Sequence, residues 1–284
     1  MVRLLDSIGQ IADQFDAIVL DQWGVLHDGT TPYDGAIDAL TRLVSGGSKL
    51  AVLSNSGKRS DLNAQRIAAK GFSKDLFGCV MTSGEALWQD AAAGKLPGRH
   101  AYVVSANSMD AAQWADGLDL VFVRDLAQAD FVLIMGLPEG DDAPTSAALN
   151  DLRGAIIARN IPTFCSNPDR ASPRSGGRLV VSPGALAHDI ADAGGAVTFY
   201  GKPHAPVFRA VEAAMNVSPN RCLMVGDSLE HDIAGAANAG WQTLFIRGGI
   251  HANAFQSADV AGALGDLVKS KGTTHPNFSL QSLR

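Results

Sequence analysis

Several residues whose types could handle a charged oxygen group stand directly after short apolar runs. Asp21 closes the run Ala17-Ile18-Val19-Leu20, and Ser54-Asn55 closes Leu50-Ala51-Val52-Leu53. Lys202 follows Val197–Tyr200 and one glycine, and Asp227 follows Cys222–Val225 and one glycine, with Asp232 shortly after. A carboxylate can serve as nucleophile or as ligand to a hard cation. Hydroxyl and ammonium groups hold anionic oxygens. Each residue alone has an ordinary reading: Asp21 and Asp227 as turn residues, Ser54 as a helix cap, Lys202 as a solvated lysine. Together they fall at the carboxyl ends of successive predicted strands, the edge at which open α/β sheets bind ligands. That coincidence favours one shared site.

The elements that must position these residues follow from hydrophobic pattern. Residues 1–15 read as a short amphipathic helix. Ala17–Leu20, Lys49–Leu53 and Cys79–Met81 read as buried strands, each feeding a helix: Tyr33–Ser45, then Ser60 or Asp61 to Lys70, then Glu85–Ala93. Gly94–Gly98 marks a boundary. A second series follows, with strands at Ala101–Ser105, Leu120–Val123, Phe131–Met135 and Thr163–Ser166 and helices at Ala143–Arg159 and Leu186–Ala193. Ser172–Gly177 reads as a polar loop. The first pattern then resumes with strands Val197–Tyr200, Cys222–Val225 and Thr243–Ile246 and a closing helix Asp259–Lys269. Residues 271–284 read as a tail that docks or frays. The fold class expected is α/β, a Rossmann-like doubly wound parallel sheet formed by 1–90 and 197–284, interrupted by an inserted α/β domain at 91–196.

Composition narrows the function. The 284 residues are 46% hydrophobic and 18% charged, which suits a packed core. A net charge of −6 argues against nucleic acid as a partner. No apolar run is long enough to span a membrane, and Asp6, Asp13 and Asp16 are out of place in a signal peptide. Cys79, Cys165 and Cys222 show no metal-ligand spacing, so reduced thiols and a cytoplasmic location are expected.

The order nucleophile-like Asp, strand-ending Ser, Lys, then Gly-Asp resembles the haloacid-dehalogenase-like hydrolase superfamily. The phrases Trp23-Gly24-Val25-Leu26, Met81-Thr82-Ser83-Gly84, Ser166-Asn167-Pro168-Asp169, Gly201-Lys202-Pro203-His204 and Gly226-Asp227-Ser228 are similar to its subfamily IIA, which carries a large α/β cap. That subfamily includes NagD-like proteins and nucleotide, p-nitrophenyl-phosphate, phosphoglycolate and pyridoxal-phosphate phosphatases. The resemblance implies that Asp21 attacks phosphorus and forms an aspartyl-phosphate. It implies Mg²⁺ held by Asp21, the backbone carbonyl of Trp23 and Asp227, with Asp232 behind them or bound through water. It implies phosphate binding by Ser54, Asn55 and Lys202, so that Asp21, Ser54 and Lys202 form the catalytic set. The implied substrate is a small phosphorylated metabolite, and the one protein partner considered is a second copy of the chain, as a homodimer.

One position departs from the family pattern. Its phosphatases carry a second Asp two residues after the nucleophile, as general acid and base, and this chain has Trp23 there. Indole exchanges no proton at neutral pH. His27 and Asp28 are the nearby substitutes considered. The departure shifts the expected phosphohydrolase toward good leaving groups. The alternatives are a catalytically weakened protein that still binds phosphate and metal, and a metal-independent dehalogenase, against which the Asp227–Asp232 pair and the α/β insert speak. Arg174 and Arg178 are considered as contacts to an anionic substrate, and Asn167, Asp169 and Arg170 as residues facing the site.

Overall fold

The computed structural model describes residues 2–138, 144–173 and 179–284. In chain order the strands begin with β1 (Arg3–Leu4) and β2 (Ala17–Leu20), then helix α1 (Ala36–Ser45), β3 (Lys49–Ser54), α2 (Ser60–Ala68), β4 (Cys79–Thr82) and α3 (Ser83–Ala92). Next come β5 (His100–Val104), α4 (Ser108–Trp114), β6 (Val121–Val123), β7 (Phe131–Ile134), α5 (Ser146–Ala158), β8 (Thr163–Cys165), β9 (Ala171–Pro173), β10 (Leu179–Val181), α6 (Pro183–Asp192) and β11 (Val197–Phe199). The chain closes with α7 (Ala205–Met215), β12 (Cys222–Gly226), α8 (Ala234–Asn238), β13 (Gln242–Ile246), α9 (Val260–Lys271) and β14 (Phe278–Leu280). No helix among the described residues is long and apolar enough to cross a membrane.

The chain divides into two compact units. The first comprises Met1–Ser54, Asp61–Met81 and Lys202–Arg284. Its seven-stranded sheet runs β1-β14-β13-β12-β2-β3-β4. The pairs from β1 through β3 are parallel. All four residues of β2 are buried, which is why that stretch is apolar throughout rather than alternating. Ile18 and Leu20 pack with Ala39, Leu40 and Leu43 of α1, while Phe245 packs with Leu264 and Val268 of α9. The chain builds outward from β2 through β3 in one direction and from β12 through β13 in the other. The neighbours β2 and β12 therefore mark the point where strand order reverses.

The second unit comprises Asn55–Ser60 and Thr82–Gly201. Its five-stranded sheet, β11-β8-β7-β5-β6, is parallel throughout. Val132, Ile134, Ile156, Leu186 and Ile190 share its core.

Three sequence expectations are corrected, and one open alternative is decided. Residues 1–15 form β1 and two 3-10 turns, Ile8–Gln10 and Ala12–Gln14, in place of a helix. Buried Ile8 and Ile11, three apart, mimic helical spacing, while Arg3–Leu4 pairs with β14. Of the two readings of the tail, docking holds: β14 inserts between β1 and β13. Val197–Phe199, read as a return to the first sheet, pairs with β8 in the second. Ala171–Pro173 pairs antiparallel with β10, so the predicted loop begins as a strand. Arg174, Arg178 and the predicted helix start at Ala143 lie outside the described residues.

Candidate active site

Strand register places the site. Leu20 is level with Val52 of β3 and with Val225 of β12. Ser54 and Asp227 therefore each lie two residues past the level of Leu20, and Asp21 lies one past it, at the same edge of three adjacent strands. Asp21 continues the ladder, its N–H donating to the Val225 carbonyl at 2.9 Å. Parallel strands in register thus convert a sequence spacing of about two hundred residues into one row of polar groups.

Lys202 ties the row together. Its Nζ donates to Asp21 Oδ1 at 2.5 Å and to Asp232 Oδ1 at 2.6 Å. The other oxygen of Asp232 accepts the Ser228 N–H at 3.0 Å. Asp232 is thereby fully employed in fixing Lys202 and the start of the turn after β12. That turn, Leu229–Ile233, is wider than an α-helical turn, with Asp232 N–H and Ile233 N–H both donating to the Ser228 carbonyl. Asp227 is held differently: its Oδ2 accepts the Ile250 N–H at 2.8 Å.

Glycines allow these approaches. A Cβ on Gly226 would sit 2.3 Å from Asp232 Oδ2. One on Gly24 or Gly249 would sit 1.7 Å or 2.1 Å from Asp227 Oδ2. Sequence reasoning missed Gly249 and Ile250 as supports of Asp227. The signal available was the Gly248-Gly249 pair after β13, at the same sheet edge.

Ligand oxygens of Asp21, Asp227 and Asp232 lie within 4.8 Å of one another. Asp227 and Asp232 are buried. Burial raises the Asp21 carboxyl to about 6, with Lys202 opposing and Asp232 reinforcing the rise. Burial, then the charges of Asp21 and Asp232, push Asp227 to about 8. Burial alone would lower the Lys202 ammonium, but Asp21 and Asp232 outweigh it and hold it above the ordinary lysine range. Three carboxylates against one ammonium leave an excess of negative charge that a divalent cation would balance, and an all-oxygen set suits a hard cation.

The remaining predicted residues have other surroundings. Ser54 ends β3 at the same edge. Asn55 belongs to the second unit, where its Nδ2 donates to Asp169 Oδ1 at 2.8 Å. Arg170 pairs with Asp189 and Asp192. Trp23 is 46% exposed. His27 is buried, its Nδ1 accepting the Gly29 N–H at 3.0 Å. Asp28 accepts the N–H groups of Thr30 and Thr31, each at 2.8 Å. Both residues are thus engaged in shaping the loop.

A family model described as haloacid dehalogenase-like hydrolase matches residues 18–118, and a HAD-hydrolase-like model matches 199–268. A solved haloacid dehalogenase-like hydrolase from Brucella suis 1330 is 30% identical, with TM-score 0.77, covering 99% of this chain and all of that one (100%). Glycerol-3-phosphate phosphatase of Gallus gallus is 26% identical over 83% of this chain and 80% of its own length. A glycerol phosphate phosphatase from Mycobacterium tuberculosis, solved in complex with magnesium, shares the fold with TM-score 0.67 at 24% identity, covering 88% of this chain and 73% of that one.

Proposed function

The chain belongs to the haloacid-dehalogenase-like hydrolase family, and from that premise we propose that it hydrolyses a small phosphorylated metabolite in a Mg²⁺-dependent reaction through an aspartyl-phosphate on Asp21. The observation carrying this reading is the Asp21–Lys202–Asp232 cluster beside Asp227, at the sheet's switch point. Relatives named as phosphatases of glycerol phosphates support the substrate class. Asp21, Asp227 and the Trp23 carbonyl are the proposed metal ligands, and the ion would supply charge neutralisation between carboxylate and phosphoryl oxygens.

Lys202 keeps Asp21 ionised near neutral pH and fixes its orientation through Oδ1. A carboxylate oxygen of Asp21 forms the bond to phosphorus while the bond from phosphorus to the leaving oxygen breaks, the electron pair going to that oxygen. Water then attacks phosphorus, the Asp21–phosphorus bond breaks, and the carboxylate is restored. Ser54 and Lys202 bind the phosphoryl oxygens. Asp232 holds Lys202 in place. The second unit, which contains the stretch 91–196, supports reading that stretch as the inserted cap domain, and three cysteines outside any disulfide support a cytoplasmic setting.

No carboxylic acid stands two residues past the nucleophile, and His27 and Asp28 are committed to the loop. That observation favours a second reading, a phosphate- and metal-binding protein with weakened turnover. Release of phosphate from p-nitrophenyl phosphate with and without Mg²⁺, in wild type and Asp21→Asn, tests the choice. Mg²⁺-dependent turnover lost in Asp21→Asn supports the enzyme; binding of Mg²⁺ and beryllofluoride without turnover supports the second reading. Trp23→Asp is expected to raise kcat/KM for alkyl phosphates on the order of tenfold more than for aryl phosphates, since general acid help matters most to poor leaving groups. An unchanged alkyl-to-aryl ratio in folded Trp23→Asp protein would show that protonation of the leaving oxygen does not limit the rate.

A further inference from the structure

The loop after Asp21 starts with a largely buried stretch. Gln22, Val25, Leu26 and His27 are buried, whereas Trp23 is not. Its indole is nevertheless held. It lies so close to Gly29 that a Cβ there would come 2.7 Å from Cζ2 and 2.9 Å from Nε1. Gly29 adopts φ +101° and is gripped at both ends of its backbone. Its N–H donates to His27 Nδ1 at 3.0 Å, and its carbonyl accepts from Lys70 Nζ. Burial, then the Lys70 charge, drives the His27 imidazole down to about 4, so Nδ1 keeps the lone pair that Gly29 uses. Asp28 closes the turn through Thr30 and Thr31. The indole thus rests against a fixed backbone shelf while much of its surface stays open, two residues from the nucleophile.

We propose that Trp23 is a specificity-determining residue, an aromatic platform for the leaving group, and that the substrate class is a phosphate monoester of a planar aromatic alcohol. This rests on the phosphohydrolase reading above. Two consequences of one residue select the same class. An indole surface stacks on a planar ring, an advantage of about threefold to tenfold in affinity. The residue also replaces an acid, which an aryl oxygen tolerates. A phenol ionises near pH ~10, so the bond from phosphorus to oxygen can break with the electron pair leaving as phenolate, protonated afterwards by water. An alkyl alkoxide is far more basic and leaves poorly without a proton. Acyl phosphates leave as readily as aryl ones but need offer no ring, so they separate the platform from leaving-group acidity.

The test compares phenylphosphonate with methylphosphonate by titration calorimetry, with Mg²⁺ present, in wild type, Trp23→Phe, Trp23→Leu and Lys70→Met. Turnover of p-nitrophenyl phosphate and acetyl phosphate is measured alongside. Wild type is expected to prefer phenylphosphonate by about tenfold. Trp23→Phe should keep most of that preference, and Trp23→Leu should lose about threefold to tenfold of it. Lys70→Met, which loosens the shelf, should lower the preference partway with KM for p-nitrophenyl phosphate rising more than kcat falls. The same preference in Trp23→Leu as in wild type, with both phosphate compounds turned over, overturns the platform and leaves the phosphohydrolase reading intact. Binding of neither phosphonate and turnover of neither phosphate compound overturns both.

Discussion

Gly249→Ala tests whether Asp227 is held for a metal. Gly249 is not among the residues with left-handed φ, so its backbone accepts an alanine, and the obstacle is contact alone. The new Cβ would lie 2.1 Å from Asp227 Oδ2 and 2.3 Å from its Cβ, where ordinary contact begins at 3.4 Å. Relief requires a shift of about 1 Å in a packed region that yields little. Such a shift breaks the 2.8 Å hydrogen bond from Ile250 N–H, whose loss leaves a buried acceptor unsatisfied and costs about 1–3 kcal/mol. Mg²⁺–oxygen distances allow little tolerance, and loss of a supporting contact lowers metal affinity roughly 10–100-fold. Calorimetric Mg²⁺ titration should therefore show that loss, with urea denaturation in EDTA showing destabilisation of about 1–3 kcal/mol. Gly265→Ala is the control, since a Cβ there meets nothing within 4 Å. Mg²⁺ affinity within twofold of wild type in a destabilised Gly249→Ala protein would refute the assignment of Asp227 as a ligand.

Lys202→Met removes the buried ammonium between Asp21 and Asp232 and should cost about 3–5 kcal/mol in EDTA. The double variant with Asp232→Asn should recover part of that loss, which a denaturation cycle measures; strict additivity would show that the two charges are uncoupled. His27 provides a pH signature: burial keeps its folded imidazole down at about 4, below the unfolded value of 6.5. The unfolded chain alone takes up the proton in that window, so stability falls as pH drops from 6.5 toward 4, by at most about 1.4 kcal/mol per pH unit. His27→Asn keeps an acceptor for Gly29 and should flatten this slope relative to wild type, and parallel stability curves would contradict it.

The parts of the site that were legible in the sequence depend on local chain. β2 is buried on both faces, so it is apolar at every position and its end at Asp21 is abrupt. The same holds for β12 and Asp227. The parts that were not legible depend on distant chain. Three-residue β14 is held by β13 and β1, and no local pattern records that pairing. Val197–Phe199 carries the same apolar signal whichever sheet receives it, so periodicity could not assign it to β8. Asp232 was visible as an acid after Asp227, but its grip on Lys202 comes from the wide turn Leu229–Ile233, whose spacing matches no regular period.

Charge accounting connects these observations to the chemistry. Asp21 and Asp232 share Lys202. Asp227 receives the Ile250 N–H and lies among like charges that, after burial, lift its carboxyl to about 8. A fold that needed only a neutral group there would be served by Asn, which also accepts from an N–H. Two glycines instead bring a backbone to within contact of the Asp227 carboxylate, and a cation there would offset the burial and like charges that raise its proton affinity. The arrangement stores unfavourable carboxylate charge at the point where a metal and a phosphoryl group would meet, beside an ammonium already aligned on the nucleophile.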